Sequence, residues 1–205
     1  MPPLKSSKTP FQCFKDKWKD GCGAIECSRS TNKVIIRGCI PSDILFIGEA
    51  PGDSENSLGL PFIGPMGHKL DSLISKTVGR YNSIRRVQRQ LPELRVGIIN
   101  VVGCIPTDED SKKSGQPSED QLISCHERTQ ELITLVDPSL VIAVGTIARD
   151  RLDHRLLGSL KLPQDCKSDW IYHPSFISRQ NIAQQGLLWQ KCQMIILDML
   201  DQIWQ

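Results

Sequence analysis

The sequence lacks any apolar run near the roughly 20 residues a membrane-crossing helix needs, which excludes a transmembrane chain. Its start, Met1-Pro2-Pro3-Leu4-Lys5-Ser6-Ser7-Lys8, has no apolar stretch followed by a small-residue cleavage site, so it does not read as a secretory signal. An excess of one charge is missing too. The 25 Lys and Arg against 23 Asp and Glu leave +2, so any nucleic-acid binding has to come from a local patch. A composition of 39% apolar and 23% charged residues excludes disorder and fibrous repeats. With 205 residues the chain is sized for one globular domain, not two.

What the sequence does have is 8 cysteines. Without a secretory signal they are expected in a reducing compartment, the cytoplasm of a prokaryotic or phage-infected cell. Disulfides are rare there, which leaves metal ligation, catalysis or burial. Residues 1–17 carry Lys5, Lys8, Lys15 and Lys17 with little apolar periodicity and read as a mobile or loosely docked tail; residues 18–205 read as one domain.

From Asp43 the pattern sharpens. Ile44-Leu45-Phe46-Ile47, 96–102 and 140–144 are short apolar runs suited to strands buried on both faces, and 170–172 is a weaker fourth. Helical patterns fall at about 66–78, 83–90, 118–136, 146–153 and 183–203, the last with Leu187, Leu188, Ile195, Ile196 and Leu200 at helical spacing. This alternation predicts an α/β fold, a three-layer α/β/α sandwich around a mostly parallel sheet. Ligands of such sheets sit at the carboxyl ends of the strands, so the loops 48–67, 100–117 and 173–179 are expected at one rim.

The first of these loops, Gly48-Glu49-Ala50-Pro51-Gly52 through Gly64-Pro65-Met66-Gly67, is rich in residues that fix a tight path and admit close backbone approach. It opens a helix whose N–H groups are placed to hold a phosphate. Embedded in it are Glu49, Glu55 and Phe62. Cys22 and Cys27 form a C-x4-C pair before the first strand, Cys104 follows the Asn100 strand, and Cys125 lies on the next helix. Four thiolates suit an all-cysteine iron–sulfur cluster or a structural zinc, and the spacing alone leaves both open beside simple burial. Cys39, Cys166 and Cys192 read as small hydrophobes.

Gly-Glu-Ala-Pro-Gly, followed by Glu55 and by Gly59-Leu60-Pro61-Phe62-Ile63-Gly64, resembles the signature of family 4 uracil-DNA glycosylases, the iron–sulfur type. The resemblance extends through Asn100-Val101-Val102-Gly103-Cys104, the Cys125 helix, Val144-Gly145-Thr146 and His173-Pro174-Ser175, covering about residues 18–180. It implies a uracil-DNA glycosylase-like fold, a DNA-repair hydrolase and a monomer with no membrane association. Its substrate would be uracil-containing DNA, single- or double-stranded. Cys22, Cys27, Cys104 and Cys125 would ligate a 4Fe–4S cluster, with zinc the alternative.

Excising uracil requires an extruded base to be held, negative charge on the leaving base to be stabilised, and water to be placed at the sugar. The resemblance implies Phe62 as the aromatic platform, Asn100 as the amide reading the base edge, and Ala50 at the substrate. His173 would donate a hydrogen bond to the departing O2. Glu49 or backbone carbonyls would hold the water, with Glu55 a supporting carboxylate. Ser175, Ile177 and Arg179 would contact DNA, Ile177 lying in an apolar segment suited to wedging into the stack. A basic stretch of Arg80, Arg85, Arg86, Arg89 and Arg95 reads either as a phosphate track or as a solvated helix face. Two other readings share these motifs: a glycosylase for other deaminated bases, and an inactive DNA-binding replication accessory protein with a four-cysteine metal site. No inserted basic loop separates Gly67 from Arg80, as a covalently trapping relative would have, and the presence of Glu49, Phe62, Asn100 and His173 argues against inactivity.

Overall fold

In the computed structural model, residues 8–22, 30–88, 90–106, 115–154 and 158–204 are described. Five strands form one sheet in the order β1-β3-β2-β4-β5: Arg37–Gly38, Val96–Asn100, Ile44–Gly48, Leu140–Val144 and Lys167–Ile171. β1 runs antiparallel to β3 and every other pair is parallel. The α/β class expected from the alternation of patterns is therefore the one observed.

Side-chain alternation along the central strands divides the core in two. Ile44, Phe46, Ile98, Leu140, Ile142 and Ile171 face the layer containing α3 (Pro65–Ile74) and the long α8 (Ile182–Ile203). Leu45, Ile47, Ile99, Val141 and Ala143 face the layer of α1 (Pro10–Trp18), α5 (Glu119–Val136) and α6 (Thr146–Leu152). Two further short helices, α2 (Asp53–Leu58) and α7 (Pro174–Ser178), lie within the loops at the strand ends, and α4 (Arg80–Gln88) continues from a π-helical turn at Ser75–Gly79.

The N-terminal segment departs from the expected tail. Residues 10–18 form α1, N-capped by Thr9, with Phe14 and Trp18 buried. These aromatics stand four apart and so share one helix face, a periodicity obscured by the intervening lysines. The helix packs on α5, where Glu131 accepts from both Lys17 Nζ at 2.7 Å and Trp18 Nε1 at 2.9 Å. On α8, Ile196 and Leu200 are buried as expected, but Leu187 is exposed and Cys192 and Met199 take up the apolar stripe. Among the described residues no helix is long and apolar enough to cross a membrane.

Candidate active site

The carboxyl ends of β2, β3, β4 and β5 open onto one cavity of about 740 Å³. The parallel register aligns Gly48 with Asn100 and Val144 with Ile171, so residues just beyond each strand reach the same rim. Glu49, Ala50, Glu55, Phe62, Asn100, His173, Ser175 and Arg179 all line this cavity, bringing together expected residues spread over more than half the chain.

Gly48 sets the pocket's shape. A Cβ there would stand 2.3 Å from the Phe62 ring carbons and 2.6 Å from Asn100 Oδ1. Only a residue without a side chain lets the ring and the amide lie over the strand end. Asn100 is buried, and its Oδ1 has no hydrogen-bond partner among the described residues. Buried acceptors are rarely left orphaned, so this oxygen invites a donor from a ligand.

Phe62 takes a left-handed backbone conformation, φ 54°, which is uncommon for an aromatic residue and marks local strain. A clasp made by Glu55 holds it: Oε1 accepts from the Ile63 and Gly64 N–H groups at 3.1 and 2.9 Å, and Oε2 from that of Gly52 at 3.2 Å. Both carboxylate oxygens are thus committed to backbone. Glu55 thereby pins the loop that carries Phe62. The same clasp occupies N–H groups at the start of α3 that the sequence offered to a phosphate. Glu49, by contrast, faces the cavity, and burial raises its pKa above the usual carboxylate range.

His173 caps the N-terminus of α7. Its Nδ1 accepts from the Ser175 N–H at 3.2 Å, with the Ser175 hydroxyl 2.7 Å away. Burial, and then the nearby Arg179 guanidinium, push its pKa down to about 4. The ring is therefore neutral at pH 7. With Nδ1 accepting, the proton resides on Nε2 and is available for donation. Ser175 thus orients the histidine.

Ile177 is fully buried in the core, so it is no wedge; the exposed apolar side chain of that turn is Phe176. In the helical turn of α7 successive residues point about 100° apart, and the sequence could not say which faced out. Phe176 stacks on Tyr172 at 5.6 Å, and Tyr172 meets Trp170 edge-on at 5.1 Å, giving the cavity an aromatic wall that the sequence reading missed. Its signal was the alternation of rings at 170 and 172 along one strand direction.

None of Arg80, Arg85, Arg86 and Arg95 of the basic stretch lines this cavity. Arg85 is buried and donates to Pro92 O, Arg86 pairs with Glu93, and Arg95 pairs with Asp43 at the amino ends of the strands. Arg89 lies outside the described residues.

Cys22 packs against the core layer that contains Cys125, and both it and Cys104 are near enough to bear on the Cys125 thiol. Cys104 and Cys125 are buried. The Cys125 thiol is pushed up to about 11, chiefly by burial and further by the neighbouring Cys22 and Cys104, while a hydrogen bond from the Gly103 backbone and the Arg128 charge oppose the rise. Cys27 lies outside the described residues, and among those described no three His, Cys, Asp or Glu side chains converge on a single-ion site. Of the remaining cysteines, Cys192 is buried as expected, Cys166 is half-buried and Cys39 is exposed.

Residues 36–193 match the family model of the Uracil DNA glycosylase superfamily. Among similar proteins is a Type-4 uracil-DNA glycosylase of Thermotoga maritima, 27% identical over 157 residues, 73% of each chain. Namesakes from Saccharolobus solfataricus and Sulfurisphaera tokodaii are 32% and 30% identical over 56% of this chain and 45% of theirs. The chain spans about half the length of these last two relatives. With a family match running from before the first parallel strand well into α8, the chain belongs to the uracil DNA glycosylase superfamily.

Proposed function

We propose that this protein removes uracil from DNA by hydrolysing the N-glycosidic bond, as the names of its relatives suggest. The observation that carries the reading is the orphaned Asn100 Oδ1 beside the Phe62 ring, in one cavity with a neutral, Nε2-protonated His173. An extruded uracil stacked on Phe62 presents N3–H to that oxygen and O4 to the amide nitrogen. Cytosine in the same place offers a bare N3 and an amino group, the wrong donor pattern for this amide orientation.

As the C1′–N1 bond breaks, its electron pair leaves with the base and charge gathers on the carbonyl oxygens. His173 Nε2–H donates to O2, an interaction that strengthens as the charge develops. Because the ring is already neutral, it stabilises the departing anion by hydrogen bonding and does not need to transfer a proton. A water adds its oxygen to C1′ and gives up a proton to Glu49, whose partial burial makes it a better base than an exposed carboxylate. Phe176, backed by Tyr172, replaces Ile177 as the apolar contact to the opened stack, and Arg179 at the cavity mouth meets the phosphate backbone.

The cysteine corner fits an anionic metal–thiolate centre held by Cys22, Cys27, Cys104 and Cys125: a buried guanidinium, Arg128, lies against Gly103 beside Cys104, one helical turn from Cys125, with a nitrogen left without a hydrogen-bond partner among the described residues. A 4Fe–4S cluster there would act as a cross-link, tying the N-terminal segment to the Asn100 loop and α5. Iron and sulfide analysis of anaerobically purified protein tests this. One zinc and no iron would replace the cluster with a structural zinc. For the activity, incubation with a single-stranded uracil oligonucleotide followed by alkali should break the strand at uracil; an intact strand overturns the reading.

A further inference from the structure

Arg128 is the one buried cation on α5 whose charge the fold leaves unanswered by any carboxylate among the described residues. It stands three residues after Cys125 and is 4% exposed. Its Nη2 donates to Val34 O at 2.5 Å, while Nη1 has no hydrogen-bond partner among the described residues. The guanidinium lies against Gly103, where a Cβ would stand 2.6 Å from its central carbon and 2.9 Å from Nε and Nη1. No ion pair to an acidic side chain engages it among the described residues. Gly103 is the neighbour of Cys104 in the chain and Cys125 stands one helical turn before Arg128, so the guanidinium lies at the cysteine corner.

A lone guanidinium out of water is costly unless an anion faces it. Neutral thiols do not supply one. Four thiolates around a zinc ion, or around a cuboidal iron–sulfur cluster in its oxidised state, both sum to a dianion, and either would meet the requirement.

We propose that Arg128 is the built-in counter-cation of the cysteine centre: a fixed positive charge, seated in the space Gly103 leaves, that holds the anionic metal–thiolate group and raises its reduction potential where that group is a cluster. The inference rests on the four-thiolate reading given above. Arg128 touches no substrate and is a positioning residue for the centre. Its second contact, to Val34 O, also ties residue 34 to the Cys104 loop, because the Val34 N–H donates back to Gly103 O at 2.8 Å. The counter-charge and the clamp therefore act on the same segment, the one leading from Cys22 and Cys27 into the sheet.

The test compares wild type with Arg128→Lys, Arg128→Met and Gly103→Ala, purified anaerobically and assayed for iron, sulfide and zinc per chain. Loss of the metal to a chelator, the melting temperatures of loaded and chelator-stripped protein and, for an iron centre, the reduction potential are then measured. Wild type and Arg128→Lys should hold the metal alike. Arg128→Met and Gly103→Ala should release it about tenfold faster or more. Any cluster kept by Arg128→Met should reduce at a more negative potential. The stripped Arg128→Met protein should melt no lower than the stripped wild type, because the unanswered charge is gone. An Arg128→Met protein that holds the metal as wild type does at an unchanged potential would overturn the proposal. So would one whose loaded and stripped forms lose equal stability, since that pattern belongs to packing alone. Should Arg128→Met not fold, metal release from Gly103→Ala decides in its place, and release at the wild-type rate would overturn the proposal. A wild type with neither iron nor zinc would overturn the four-thiolate reading itself, whereas a loaded wild type with indifferent variants would overturn only the role of Arg128.

Discussion

The Phe62 and His173 rings face each other across the cavity with centroids 6.0 Å apart and planes tilted by 44°. One comes from a Gly/Pro loop after β2 and the other from the turn after β5, so the site exists only once four parallel strands are in register. In the proposed function this sets the His173 ring at the rim of a base stacked on Phe62.

That arrangement gives His173 a sharply defined cost of removal. His173→Ala should lower the single-turnover excision rate about 10²–10³-fold, the range for losing one preorganised donor to a developing oxyanion. Affinity for uracil-containing DNA should change little. A variant that cleaves at near-normal rate but binds product poorly would reassign the residue to positioning DNA.

The same residue makes a pH prediction. Its folded-state pKa of about 4 lies below the ordinary 6.5, so the unfolded chain takes up the proton first. Its neutral burial therefore supports the fold fully above pH 6.5, and up to about 3 kcal/mol of that support is lost as pH falls from 6.5 through 4. Chemical denaturation at pH 7 and pH 4.5 should show wild type losing more stability than His173→Asn. Equal losses would mean the ring is not buried neutral.

Asn100→Asp replaces the amide nitrogen with a second acceptor opposite O4. It should lower uracil excision at least about tenfold by leaving like dipoles unpaired in a buried site. Wild-type rates on single-stranded uracil DNA would remove Asn100 from the pocket.

Much of this was legible in the sequence, and the reasons differ by element. Ile44–Gly48 and Leu140–Val144 announced themselves because strands buried on both faces read as unbroken apolar runs. β1 at Arg37–Gly38 was invisible because two residues carry no pattern, and α1 was hidden because Phe14 and Trp18 sit among lysines. Within the site, the identities of Phe62, Asn100 and His173 came from motif order. The division of labour between Glu49 and Glu55 depended on which carboxylate meets backbone amides, a property of the folded loop. Arg128 had a signal that went unread: one helical turn from Cys125, it is a lone charge on the apolar face of α5.

Glu55 offers a check on that division. Glu55→Ala would strip three backbone N–H groups of their acceptor and should cost about 1–3 kcal/mol of stability together with activity. Glu55→Gln keeps an acceptor oxygen and should retain more of both, with the shape of the pH–rate profile unchanged. A profile that loses its acid limb only in Glu55→Gln would make this carboxylate the base after all. Glu49→Gln, by contrast, should remove that limb.

Gly48→Ala probes the pocket itself. The added methyl would fall within 2.3 Å of the Phe62 ring and 2.6 Å of Asn100 Oδ1, so ring and amide must part. Overpacking of this kind should cost about 1–3 kcal/mol of stability. Excision should fall much further than the melting temperature implies, and an active Gly48→Ala would show that base and amide do not share this space.

The most direct measurement is excision by the wild-type protein of uracil from a single-stranded oligonucleotide, read as an alkali-labile break beside a thymine control. The account predicts a break at uracil alone, abolished or strongly slowed in Asn100→Asp. An intact uracil strand, or equal breakage of the thymine control, would contradict it.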